Sequence, residues 1–143
     1  MTATHTRRFL VADDDPDMLA MIATVLRRTG AQVIEAHCGT DLLQLATDAG
    51  ENAEEDHFDA IFSDIQMPDL TVIDVMERLP VLTRRTPVIL FTAVHDRTVR
   101  DRAYDLGAQA IINKPLDPMD LIALARFATT QSMKGDPDAR IRQ

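Results

Sequence analysis

The chain has 143 residues, 45% of them hydrophobic, and its 15 Lys plus Arg against 23 Asp plus Glu give a formal charge of −8. At about 150 residues per domain this is one compact unit, with apolar content enough for a core and the wrong sign of charge for gripping a phosphate backbone. A single cysteine (Cys38), four scattered histidines and no run of about 20 apolar residues exclude an internal disulfide, a Cys/His zinc site and a membrane span, so a cytoplasmic protein touching neither nucleic acid nor membrane is expected.

In chain order, residues 1–6 read as a disordered lead-in, and the apolar run 9–12 (FLVA) as a strand covered on both faces. Asp15-Pro16 sets a side-chain acceptor before a first-turn proline, opening a helix whose Leu19, Ile22, Val25 and Leu26 share a face and which Gly30 ends. Residues 32–36 form a second strand, and Leu42, Leu43, Leu45 and Ala46 a second helix stopped by Gly50. The acidic stretch 51–57 (ENAEEDH) reads as an enlarged surface loop. Residues 58–62 are the third strand. Ile73, Met76 and Leu79 mark a third helix that Pro80 must end or kink. The fourth strand is 88–91 (VILF), the fourth helix carries Val99, Ala103 and Leu106 up to Gly107, and the fifth strand is 110–112. Asp117-Pro118 opens a fifth helix with Leu121, Ile122, Leu124 and Ala125, and 132–143 reads as a polar tail, leaving 7–131 as the domain. Met18, Met21, Met67, Met76 and Met119 are expected as core fillers and the histidines as surface residues.

Strictly alternating strands and helices require right-handed crossovers and a parallel sheet. The expectation is a doubly wound five-stranded α/β fold, order 2-1-3-4-5, with helices on both faces (flavodoxin-like). In such sheets ligands bind outside the carboxyl ends of the strands. Those ends carry Asp13-Asp14-Asp15, Ser63-Asp64, Thr92-Ala93 and Asn113-Lys114-Pro115.

Carboxylates gathered there repel one another by about 4 kcal/mol per pair at a separation near ~4 Å and an effective dielectric of ~20. A hard divalent cation, Mg²⁺ or Mn²⁺, suits such oxygen ligands and also binds phosphate, while Lys114 adds a movable positive charge. A carboxylate so placed can act as a nucleophile and form an aspartyl phosphate. Asp64 fits that role, with the Thr92 hydroxyl as a donor to the arriving phosphoryl oxygens.

The segments FLVADDD, FSDIQMPD, LFTA and NKP, over about residues 7–130, resemble the response-regulator receiver domain of two-component signalling. The resemblance implies that Asp64 is the phosphoacceptor and that Asp13, Asp14, Asp64 and the backbone carbonyl of Gln66 hold the metal. It makes Thr92, Ala93, Lys114 and Ile111 the phosphoryl-contacting and switch positions, and puts a cis peptide between Lys114 and Pro115. Gln66 and Val94 would flank the hydrolytic water and set the lifetime of the label. The implied partners are a histidine kinase or histidine phosphotransfer protein as donor and a protein effector, with room for a homodimer, and the output face is the fourth helix, fifth strand and fifth helix. Two departures stand out. Asp69-Leu70-Thr71-Val72 lacks the glycine usual after Met-Pro, and Ile111 replaces an aromatic residue that follows the threonine in many relatives. Readout is therefore expected through the Thr92 loop and the packing of the fourth helix.

Two rivals accompany this reading. One is a pseudo-receiver of the same fold that works by protein contacts without phosphate. The other is a phosphatase of the haloacid dehalogenase type using Asp13 and Asp15 as nucleophile and acid. A calcium loop is excluded, because Met18 and Thr24 replace its glycine and closing glutamate.

Overall fold

In the computed structural model, residues 6–51 and 57–134 are described; most of the expected lead-in, acidic loop and tail lie outside them. The elements are β1 (Arg8–Ala12), α1 (Pro16–Arg27), β2 (Gln32–Ala36), α2 (Gly39–Glu51), β3 (Ala60–Asp64), α3 (Val72–Arg78), α4 (Leu82–Arg85), β4 (Val88–Thr92), α5 (Arg97–Asp105), β5 (Ala110–Asn113) and α6 (Pro118–Lys134). The strands form one parallel sheet in the order β2-β1-β3-β4-β5, as the alternation requires.

Because side chains alternate across a strand, each apolar run supplies both faces. Phe9, Val11, Phe62, Ile89 and Phe91 face α1 and α6, meeting Leu19, Ile22, Leu26, Leu121 and Ala125. There the ring centroids of Phe9 and Phe62 are 5.4 Å apart, edge to face, and those of Phe62 and Phe91 are 6.3 Å apart. Burying each such ring contributes about 1.5–3 kcal/mol. Leu10, Ala12, Ile61 and Leu90 face the other way, into Leu42, Val75, Met76 and Ala103.

Asp15 caps α1 as its position before Pro16 predicts, accepting from the amides of Asp17 and Met18. Gly30 and Gly107 both adopt positive φ, 94° and 108°, after their helices. Gly50 does not stop α2: it lies inside the last turn, where the buried stripe of Leu42, Ala46 and Ala49 keeps the helix packed on the sheet. Pro80 splits the expected third helix, which ends at Arg78 and resumes as the four-residue α4. The third strand starts at Ala60, not at residue 58. Asp59 instead staples the strand entrance, its amide donating to the Arg8 carbonyl and its carboxylate accepting from the Arg8 amide at 2.8 Å. Two further expectations need correction. Helix α6 continues to Lys134, past the expected limit at 131, and Met119 is 69% exposed on the first turn of α6 instead of filling the core.

Candidate functional site

The carboxyl ends of β1, β3, β4 and β5 meet where the strand order reverses. Asp13 follows β1 directly, and its amide donates to the Ala36 carbonyl at 3.2 Å, so its backbone is held in the sheet's pattern. Asp64 ends β3 opposite Phe91. Lys114 follows β5, its amide bonded to the Thr92 carbonyl at 2.9 Å, with a cis bond to Pro115 beyond it.

These backbones bring their side chains together. Lys114 Nζ donates to Asp64 Oδ2 at 2.9 Å and to Asp13 Oδ2 at 3.4 Å, and oxygens of Asp13, Asp14 and Asp64 lie within 4.8 Å of one another. Asp13 is 1% exposed and Asp64 8%, whereas Asp14 is open to solvent. Burial raises the Asp13 carboxyl above its ordinary pKa, and the neighbouring Asp64 adds to this; the Asp15 amide and Lys114 pull the other way. Burial alone would lower the Lys114 ammonium, but Asp64 and Asp13 outweigh it and hold the pKa above its ordinary value. Two carboxylates cluster around one ammonium, with a third at the rim. The oxygen-only donor set of Asp13, Asp14 and Asp64 fits a hard divalent cation, which would offset their mutual repulsion.

Thr92 is buried, and its hydroxyl is engaged locally: it donates to the Val94 carbonyl at 3.1 Å and accepts from the Val94 amide at 3.0 Å. Ala93 and Val94 are exposed beside it. Ile111 is half-buried against the face that carries Leu90 and Ala103. Gln66 is exposed, with its amide donating to Asp64 Oδ1 at 3.1 Å. The structure thus gathers Asp13, Asp14, Asp64 and Lys114 into one pocket, and sets Thr92, Ala93, Val94, Gln66 and Ile111 on the flanking loops and strand. Asp15 Oδ1 instead caps α1, accepting from the Asp17 and Met18 amides, and Asp15 is not among the clustered carboxylates Asp13, Asp14 and Asp64. A cavity of about 360 Å³ between α2 and α4, lined by Ala46, Phe58 and Leu82 among others, contains none of these residues.

Three features of the site's surroundings are absent from the sequence reading. Thr71 and Asp74 form a capping box on α3, a Thr-x-x-Asp spacing that was there to be read. Asp96 caps α5 in the same Asx manner as Asp15 caps α1. Asp69 reaches across to α2, accepting from the Gly39 amide (2.9 Å), the Thr40 amide (2.9 Å) and the Thr40 hydroxyl (2.7 Å). No local pattern announces this last set, because the partners are about thirty residues apart.

An acid-lined pocket with a bridging lysine, set at the switch point of a 2-1-3-4-5 parallel sheet, defines a receiver-type signalling domain. Residues 9–126 match the model of the response regulator receiver domain, and the chain belongs to that family. It is 31% identical over 125 residues to the transcriptional regulatory protein CpxR of Escherichia coli K12, covering 87% of this chain and 50% of CpxR. It is 30% identical over 140 residues to the transcriptional regulatory protein PdtaR of Mycobacterium tuberculosis H37Rv, covering 94% of this chain and 64% of PdtaR. The chain therefore spans only half to two thirds of these relatives. A CheY-like receiver domain protein of Methanospirillum hungatei JF-1 superposes with a TM-score of 0.77 at 23% identity, over 92% of this chain and 100% of that one. Among the described residues no helix is long and apolar enough to cross a membrane.

Proposed function

We propose that this chain is a phosphoacceptor response regulator labelled on Asp64. The donor is the phosphohistidine of a kinase or phosphotransfer protein. An Asp64 carboxylate oxygen attacks phosphorus, the P–N bond breaks, and the imidazole leaves and takes up a proton. Water later cleaves the acyl phosphate, returning the carboxylate and inorganic phosphate. The observation that carries this reading is the 2.9 Å contact of Lys114 Nζ with Asp64 inside the three-carboxylate cluster.

Asp13, Asp14, Asp64 and the Gln66 carbonyl are the residues that would hold Mg²⁺ or Mn²⁺. The cation supplies neutralisation of charge on the transferring phosphoryl group. Lys114 keeps its proton and turns from the bare carboxylate to the phosphoryl oxygens. The Thr92 hydroxyl gives up the Val94 carbonyl and donates to the same group, drawing the 93–96 loop with it. With Ile111 in place of an aromatic ring, the shift passes through this loop to α5, so that α5, β5 and α6 form the face offered to a protein effector or a second copy. Gln66 and Val94 border the path of the hydrolytic water and tune the lifetime of the label. The unit starts at residue 7, runs past 131 with α6 to Lys134, and works in the cytoplasm, where a free Cys38 stays reduced.

Incubation with Mg²⁺ and acetyl phosphate, followed by intact-protein mass spectrometry, tests the reading. One phosphoryl group is expected on the parent chain and none on Asp64→Asn. A parent chain that stays unlabelled, and whose amide spectrum ignores beryllofluoride, would be a phosphate-independent interaction module instead.

A further inference from the structure

The loop joining Asp64 to α3 is tethered at both ends and at its tip. Ile65 and Met67 are buried, and the Val72 amide returns to the Ile65 carbonyl at 3.3 Å, closing the loop at its base. At the tip Asp69 accepts three hydrogen bonds from Gly39 and Thr40 in the first turn of α2. The approach is so close that a Cβ on Gly39 would lie 1.8 Å from the Leu70 carbonyl oxygen, so only glycine fits beneath the loop.

These bonds complete a circuit around the acidic pocket. Asp13 is bonded to Ala36 at the end of β2. Three residues on, Gly39 and Thr40 are bonded to Asp69, and three residues back along that loop lies Gln66, whose amide is bonded to Asp64. The strands bearing Asp13 and Asp64 are thus linked twice, once through the sheet and once around the outside through α2. The peptide whose carbonyl would face the cation sits within the outer link.

Building on the phosphoacceptor reading, we infer that Asp69 is a positioning residue: by clamping the β3–α3 loop to α2, it holds the Gln66 carbonyl in register with Asp13, Asp14 and Asp64 and so sets the affinity for a divalent cation. Asp69 itself does not touch the cation. Outer partners that orient metal ligands typically change affinity about 10- to 100-fold when removed.

The test is Mg²⁺ titration of the full chain by calorimetry, with thermal melts of every variant. Asp69→Ala is expected to weaken Mg²⁺ about tenfold, Asp69→Asn, which keeps an acceptor, to fall between it and the parent, and Thr40→Val, which keeps both backbone bonds, to stay near the parent. Gly39→Ala breaks the clamp by steric clash while keeping Asp69, and is expected to weaken Mg²⁺ as Asp69→Ala does. Should Asp69→Ala fail to fold, Asp69→Asn and Gly39→Ala decide. Variants with lowered melting temperatures but parental Mg²⁺ affinity would reduce Asp69 to a helix cap and overturn the inference alone. A parent chain that binds no Mg²⁺ would take the phosphoacceptor reading down with it.

Discussion

The two loops flanking Asp64 are built in opposite ways. The β3–α3 loop is pinned by buried Ile65 and Met67, by Asp69 on α2 and by the Thr71–Asp74 capping box. The β4–α5 loop exposes Ala93, Val94, His95 and Asp96, and the hold on it nearest the pocket is the Thr92 hydroxyl, bonded twice to Val94. A fixed loop suits metal ligation, which tolerates little displacement, whereas a loop anchored by Asp96 at its far end and by the Thr92 hydroxyl at the pocket can be shifted there by a new acceptor for that hydroxyl. The same carboxylate thus borders a rigid side and a responsive side.

The largest break in this arrangement is expected from Lys114→Met. It removes the charge shared by Asp64 and Asp13, and labelling by acetyl phosphate should slow about a hundredfold, followed by mass spectrometry over time. Thr92→Ala should slow labelling only about three- to tenfold but abolish the amide shifts that beryllofluoride induces across residues 93–106. Shifts that survive the substitution would route the signal elsewhere.

The carboxylate at the pocket and the one at the clamp differ in the sign of their pH dependence. Asp13, whose pKa is raised on folding mainly by burial, contributes stability present below its unfolded value near 3.8 and lost as pH rises through its folded value. Without divalent cation, the melting temperature of Asp13→Asn relative to the parent should therefore increase as the pH rises above about 4, and Mg²⁺ should favour the parent. Asp69 behaves oppositely. Its pKa is lowered by the Thr40 hydroxyl and by the Thr40 and Gly39 amides, so its contribution is present above its unfolded value and lost as pH falls through the folded one. The deficit of Asp69→Asn should shrink on acidification. The smallest effect belongs to Gln66 and Val94. Substituting either should change the half-life of the label by less than about tenfold, about 1.4 kcal/mol in the hydrolysis barrier, read from phosphate release.

Much of this could be read from residue order alone. Five apolar runs separated by helical spacings dictate a parallel sheet, and the polar residues after each run mark its working end. Asp13, Asp14, Asp64 and Lys114 could be singled out because each sits at the carboxyl end of a strand, and local patterns of this kind survive in one dimension. Gly50 misled because a glycine signals a stop only where packing lets the helix end, and here Ala46 and Ala49 carry it on. Met119 misled because its composition resembles core while its place on the first turn of α6 faces solvent.

By itself, the amino-acid order determined the strand count, the cap at Asp15 and the one at Asp117, whose carboxylate accepts from the Met119 amide at 2.8 Å, and the identity of the acid and lysine groups, since these depend on neighbours a few residues away. Tertiary structure alone decided that Lys114 bridges Asp64 and Asp13, that Thr92 is turned onto Val94, and that Asp69 grips α2 over a glycine with no room for a side chain. Bridge and grip join segments thirty to a hundred residues apart, and the Thr92 rotamer depends on surroundings that exist only once the strands have paired. No short sequence window contains both halves of the bridge or of the grip.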